Sequence, residues 1–318
     1  MKHRSGCINA FVISVTKKLK TNTLINHLFQ MKKILLLSIA FTVFLSMKSD
    51  KPAYKLFTEK GKSTSYKSLI KDASEADIVF FGELHDNPIC HWLEYEITAD
   101  LYAAKGKDLI LGAEMFESDN QLIVNEYLAG LVKEKNFEAE ARLWPNYKTD
   151  YKRLLNFARD SSLAFIATNI PRRYAAMVNK SGFEILNTLD KKALEFIAPL
   201  PVDYDPELAC YKDMAKMMGD APAHVTMNIA KAQAMKDATM AHFIYKNYTK
   251  GKTFLHFNGT YHSDRFQSII WYLQKMDPSL KILTISSVEQ DDVDELKTES
   301  EGLGNYILVI PTTMSKSQ

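Results

Sequence analysis

The chain has 318 residues, enough for one large or two small domains, and its 46% hydrophobic and 25% charged residues make an ordinary globular composition. The net charge of +2 hides an asymmetry: eight basic residues and no acidic one fall within positions 1–49, so removing those eight leaves −6 on residues 50–318. A mildly acidic body argues against a nucleic-acid partner.

Residues 1–30 read as an upstream extension, because Met31-Lys32-Lys33 opens a second start-like segment and Ile34 to Leu45 is apolar apart from Ser38 and Thr42. A short basic stretch followed by about a dozen apolar residues fits a secretory signal better than a membrane span, which needs about 20. Residues 31–49 are therefore expected to act as a signal peptide or an N-terminal anchor. This predicts an exported protein, in the periplasm or held to the cell envelope through its N-terminus. Beyond this segment the chain keeps Cys90 and Cys210, which fit one disulfide or two buried thiols.

From Ala76 onward strands and helices alternate. Residues 76–84 form an apolar, β-rich run that predicts a buried strand, and 89–105 shows helical spacing. Asp108 to Met115 reads as a second strand, and Ser118 to Gln121 as a capping box opening a helix. A helix at about 148–159 leads to a third strand, Ser162 to Thr168. Pro171 then suits a first helical position. Residues 172–249 read as a mostly helical insert, interrupted at 198–206 and 219–222. Strand 252–258, helix 265–276 and strands 280–287 and 305–311 complete the chain. The fold class is thus α/β: a central, largely parallel sheet flanked by helices, with a helical insert at about 172–249 between the third and fourth core strands, acting as a lid or subdomain.

Two of these strands end in the same pattern. Gly82-Glu83-Leu84-His85 closes the first, and Gly259-Thr260-Tyr261-His262 follows the fourth. Each glycine is expected to permit a sharp turn, and each histidine then sits where open α/β sheets place their ligand sites. Glu114 ends the second strand. If these ends gather, Glu83, His85, Glu114 and His262 form a catalytic group. His85, His262 and Glu114 could hold a divalent metal that leaves a position open for water. The opposing reading is a pair of loop histidines bonded to local backbone. His256 reads as a satisfied core histidine, His91 as a surface histidine with a supporting role as the alternative, and His242 as solvent-facing.

The insert carries Met214, Met217, Met218, Met227, Met235 and Met240, with Tyr204 and Tyr211 just upstream. Methionine suits irregular apolar surfaces that accept a flat ligand, and a tyrosine can ligate haem iron. An ordinary Met-rich core is the plainer reading.

The motifs Gly82–Asn87, Gly112–Phe116, Thr168–Tyr174, Gln233–Ala241 and Asn258–His262 occur in the order that resembles the ChaN-type haem-binding family. That family belongs to the superfamily that also holds TIKI, TraB and erythromycin-esterase-like proteins. The likeness spans about residues 76–312. It implies an iron-regulated envelope protein that binds haem for iron uptake. The haem would be held by a Tyr at a homodimer interface, with His and Lys of the second copy meeting the propionates. Tyr211 is the expected ligand, Tyr204 the next, and Met218 an apolar contact. In the wider superfamily the paired Gly-x-x-His motifs are implicated in hydrolysis, with or without metal, and they map here onto Glu83, His85, Glu114 and His262. The alternative function is therefore a metal-dependent or His/carboxylate hydrolase. This chain departs from many members in lacking a lipid-bearing Cys after its apolar run.

Overall fold

The computed structural model describes residues 30–33, 51–217 and 223–317. The chain divides into two units, residues 1–52 and 53–318. Of the first, residues 30–33 are helical, and most of the expected signal segment lies outside the described residues. Among the described residues no helix is long and apolar enough to cross a membrane.

Six apolar runs form parallel strands; α-helices return the chain to the same end of the sheet between the first five, and a long loop with a short 3-10 turn, Thr298–Ser300, does so before the last. They are β3 (Ile78–Glu83), β4 (Leu109–Glu117), β5 (Phe165–Asn169), β6 (Thr253–Gly259), β7 (Ile282–Gln290) and β8 (Tyr306–Pro311). Two short strands, β1 (Lys55–Thr58) and β2 (Ser63–Thr64), add an antiparallel edge on β8, giving the order β2-β1-β8-β7-β3-β6-β4-β5. At four and two residues, these edge strands are too short to show a period in sequence.

Alternation along the strands divides the core into two layers. Val79, Phe81, Leu111, Leu255 and Phe257 face one side. There they meet α1 (Tyr66–Glu75), α2 (Pro88–Lys105), α3 (Gln121–Leu128), α4 (Glu134–Glu140) and α5 (Lys152–Asp160). Ile78, Phe80, Ile110, Ile166 and Phe254 face the other side. They meet α6 (Arg172–Ser181), α7 (Lys191–Leu194), α9 (Ala223–Asn247) and α10 (Ile269–Met276). A further helix, α8 (Ala209–Met217), precedes α9. The helical segment before β6 is therefore a layer of the sandwich, in place of the expected lid. Met235 and Met240 are fully buried within it.

Local chemistry moved several boundaries. Ser118 does not cap a helix; its hydroxyl donates to the Phe196 carbonyl at 2.6 Å, and α3 starts three residues later. Pro171 is the residue before α6 and not its first. The helix expected from 148 begins as a wide π turn, Tyr147–Tyr151, which buries Tyr147, Asp150 and Tyr151 before α5 starts. α2 begins cleanly because Asn87 Oδ1 accepts the Ile89 N–H at 3.0 Å and Pro88 needs no donor partner.

Candidate functional site

Strands β3 and β6 are neighbours, with Gly82 beside Asn258 and Glu83 beside Gly259. The two Gly-x-x-His segments therefore leave the sheet side by side. Neither glycine uses its freedom to take a positive φ: Gly259 has φ −60° and ψ 144°, and Gly82 is not among the glycines with positive φ. Close approach requires them instead. A Cβ at Gly259 would lie 2.7 Å from His85 Nε2, and one at Gly82 would lie 3.0 Å from the Ile285 carbonyl oxygen.

β4 flanks β6 and brings Glu114 to the same opening. Glu114 Oε2 accepts the Gly259 N–H at 2.9 Å, and its Oε1 lies 3.2 Å from His262 Nε2. His262 Nδ1 lies 2.5 Å from Asp237 Oδ1, and Tyr211 donates its hydroxyl to Asp237 Oδ2 at 3.0 Å. Burial opposes charge on His262, but the carboxylates of Glu114 and Asp237 outweigh it and push its pKa up to about 9. Burial likewise opposes ionisation of Glu114, and the charges of His262 and His85 reverse that, holding it far below the ordinary carboxylate range. Burial raises the pKa of Asp237 despite His262. This shift favours the protonated form of His262, whose two nitrogens face the carboxylates of Glu114 and Asp237.

A second network stands behind His85. Its Nδ1 lies 2.6 Å from Glu83 Oε1, which also accepts the Tyr151 hydroxyl at 2.7 Å. Burial opposes charge on His85, but the bond to Glu83 and the charges of Glu114 and Glu83 raise its pKa. His91, expected at the surface, is buried: Nδ1 lies 3.2 Å from Glu94 Oε2 and Nε2 3.1 Å from the His85 carbonyl oxygen. Burial and the nearby Glu83 charge raise the Glu94 pKa well above its ordinary value. For Glu83, burial works against ionisation, but hydrogen bonds with Glu94 and His85 prevail and its pKa is lowered.

His85, Glu114 and His262 open on a cavity of about 460 Å³, together with Trp144, Arg172, Met214, Gln233, Lys236 and Tyr261. Met214 and Tyr261 also line a second cavity of about 380 Å³. Glu83 is fully buried behind the first cavity and does not line it. The strand ends and the helical segment share this surface. Tyr211 is 1% exposed and lies in the wall, lining neither cavity. Tyr204 packs against Phe183 and Tyr211, also away from both. Met218 lies outside the described residues. His256 is a satisfied core histidine, bonded to Thr168 at 2.8 Å and Asn258 at 3.0 Å, and burial pushes its pKa down to about 4. His242 is partly buried and not solvent-facing. Cys90 and Cys210 are free thiols.

Sequence reasoning placed Arg172 at the third strand end but missed Asp237, Lys236, Tyr261 and Trp144 as parts of this site. One signal was available: Gln233, Lys236 and Asp237 are polar residues three and four apart in an Ala/Met-rich helix, so they share one face.

Residues 69–273 match the family described as haem-binding uptake, Tiki superfamily, ChaN. Among solved structures, the chain resembles ChaN of Campylobacter jejuni, described for cofacial haem binding. The TM-score is 0.62 and the identity 17%, over 81% of this chain and 96% of that one. Weaker likenesses include a Bacillus cereus protein (TM-score 0.48, 14% identity, 84% and 96% covered) and an erythromycin esterase mutant in its open conformation (TM-score 0.47, 10% identity, 80% and 94% covered). No curated protein matches the chain.

Proposed function

We propose that this chain, which belongs to the ChaN haem-binding uptake family of the Tiki superfamily, binds ferric haem across the opening of the strand-end cavity. The observation that carries the reading is Tyr261: its side chain is 61% exposed and stands where the two cavities meet, with Met214 on both sides. A phenolate is a hard oxygen donor suited to ferric iron. Trp144 and Met214 offer apolar contact, and Arg172 and Lys236 offer cations for propionates. Tyr261 takes the role expected of Tyr211, because Tyr211 would have to leave the buried Asp237 bond to reach a ligand. Cofacial haem binding, as described for the Campylobacter jejuni protein, supports a homodimer in which two copies bring their openings together. The basic and apolar run at 32–45 supports export to the periplasm or attachment to the envelope, in keeping with haem uptake.

Haemin titration of the purified chain, followed by absorbance, tests this reading. Saturable binding with a phenolate-type band, lost in Tyr261→Phe and kept in Tyr211→Phe, supports it. Absence of saturable binding overturns it, and loss of the band only in Tyr211→Phe returns the ligand role to that residue.

A second reading rests on the Glu83–His85 pair. The buried carboxylate orients His85 through Nδ1, leaving Nε2 over Gly259 beside Glu114. That is a general-base arrangement for a hydrolase. A panel of esters and amides, with His85→Ala as the inactive control, tests it; no turnover of any substrate removes it.

A further inference from the structure

Behind the cavity lies a cluster that the haem reading leaves unused. Donor atoms of Glu83, His91 and Glu94 all come within 4.8 Å of one another, and all three residues are buried. We propose that these three side chains form a buried divalent-cation site.

The argument begins with His91. Its Nε2 faces the His85 carbonyl oxygen at 3.1 Å. A carbonyl only accepts, so Nε2 carries the proton, and in the neutral ring Nδ1 presents a lone pair. That lone pair points at Glu94 Oε2, 3.2 Å away, and Glu83 Oε2, 3.6 Å away. In that form three acceptors converge on one buried point, whereas a doubly protonated ring would donate Nδ1–H to Glu94. A histidine that ligates a metal through one nitrogen while donating the other N–H to a backbone carbonyl is the usual orienting arrangement.

The carboxylates meet the same description. Glu83 Oε1 is occupied by His85 and Tyr151, which leaves Oε2 turned toward His91. Apart from a proton that the two acids can share, Glu83 Oε2 and Glu94 Oε1 are buried polar atoms without a hydrogen-bond partner, on residues 1% and 0% exposed. Such orphaned oxygens are costly unless something cationic meets them. Ligands held about 2.1 Å from a tetrahedral ion are about 3.4 Å apart, and the 3.2 and 3.6 Å separations bracket that spacing. Two carboxylates and one imidazole suit zinc or manganese better than calcium or copper(I). A dication would also balance the two carboxylate charges. His85, whose side chain is 41% exposed and lines the cavity, is bonded to Glu83 Oε1.

The rival occupant is a proton shared between Glu83 and Glu94. To separate the two, the full chain is stripped of metal, dialysed against zinc or manganese chloride, and assayed by elemental analysis and calorimetry. One ion per chain is expected, with a raised melting temperature. Glu94→Gln, which mimics the protonated acid, should weaken binding by more than roughly 100-fold, beyond the effect of losing an outer partner. His91→Gln provides the same test should Glu94→Gln fail to fold. His85→Ala removes none of the three donors, only the partner of Glu83 Oε1, and should weaken the ion by no more than roughly 10–100-fold. The proposal is overturned if the folded wild type takes up neither ion, or if Glu94→Gln and His91→Gln retain it while His85→Ala loses it. Haemin affinity is read separately, so failure here leaves the haem reading standing.

Discussion

The buried imidazolium of His262 should make stability fall as pH rises. Its pKa is pushed from 6.5 up to about 9 by Glu114 and Asp237. A group raised on folding contributes fully below its unfolded value and loses that contribution as pH passes through the folded one. The window is therefore about pH 6.5 to 9, and the loss over it is about 3 kcal/mol at 1.36 kcal/mol per pH decade. Other groups titrate nearby, among them Asp264, whose burial pushes its pKa up to about 7. The readout is thus a difference between wild type and His262→Gln, which keeps a donor but cannot titrate. Urea unfolding at intervals from pH 6 to 9.5 should show the wild-type advantage shrinking by about 3 kcal/mol. A difference that stays constant across this range would refute the charge assignment and the ion pair built on it.

Three further outcomes follow from the same geometry. Gly82→Ala should cost more stability than Gly259→Ala, within the roughly 1–3 kcal/mol of an overpacked site. At Gly82 the new methyl meets the Ile285 carbonyl and the Thr260 backbone, whereas at Gly259 it meets an imidazole that can swing into the cavity; equal denaturation midpoints would contradict this. Tyr211→Phe should lower stability by about 1–3 kcal/mol, because Asp237 Oδ2 loses its buried donor, and an unchanged melting curve would show that bond to be unimportant. Cys90 should resist alkylation in the native chain, since burial pushes its thiol up to about 12; rapid labelling located by mass spectrometry would count against the burial.

The parallel core was legible because six strands announce themselves through apolar runs between helical spacings. The repeated Gly-x-x-His pattern was legible because its two copies sit in register on neighbouring strands. What escaped were relations that only packing creates. His91 looks like a surface residue until the π turn at Tyr147–Tyr151 covers it. Tyr211 looks like a free ligand until Asp237 takes its hydroxyl. The glycines looked like turn formers, yet they matter for the missing Cβ, which no periodicity reveals. The Met-rich stretch read as either a core or a ligand surface, and it divides: Met235 and Met240 are core while Met214 lines the cavity.

That last division changes how the two functional readings relate. With separate surfaces, haem binding and hydrolysis could proceed independently. The structure instead places Tyr261, Met214 and Lys236 around the same opening as His85 and Glu114. On the haem reading proposed above, a flat ligand at Tyr261 would lie over the cavity that His85 also lines. The charge pattern suits such a cover better than a turnover site. His262 is already protonated between two acids, which leaves His85 alone to act as a base, and Glu114 already satisfies the Gly259 N–H that might otherwise stabilise an oxyanion. On the hydrolase reading, another donor would have to meet the oxyanion; on the haem reading, the occupied donor is no loss.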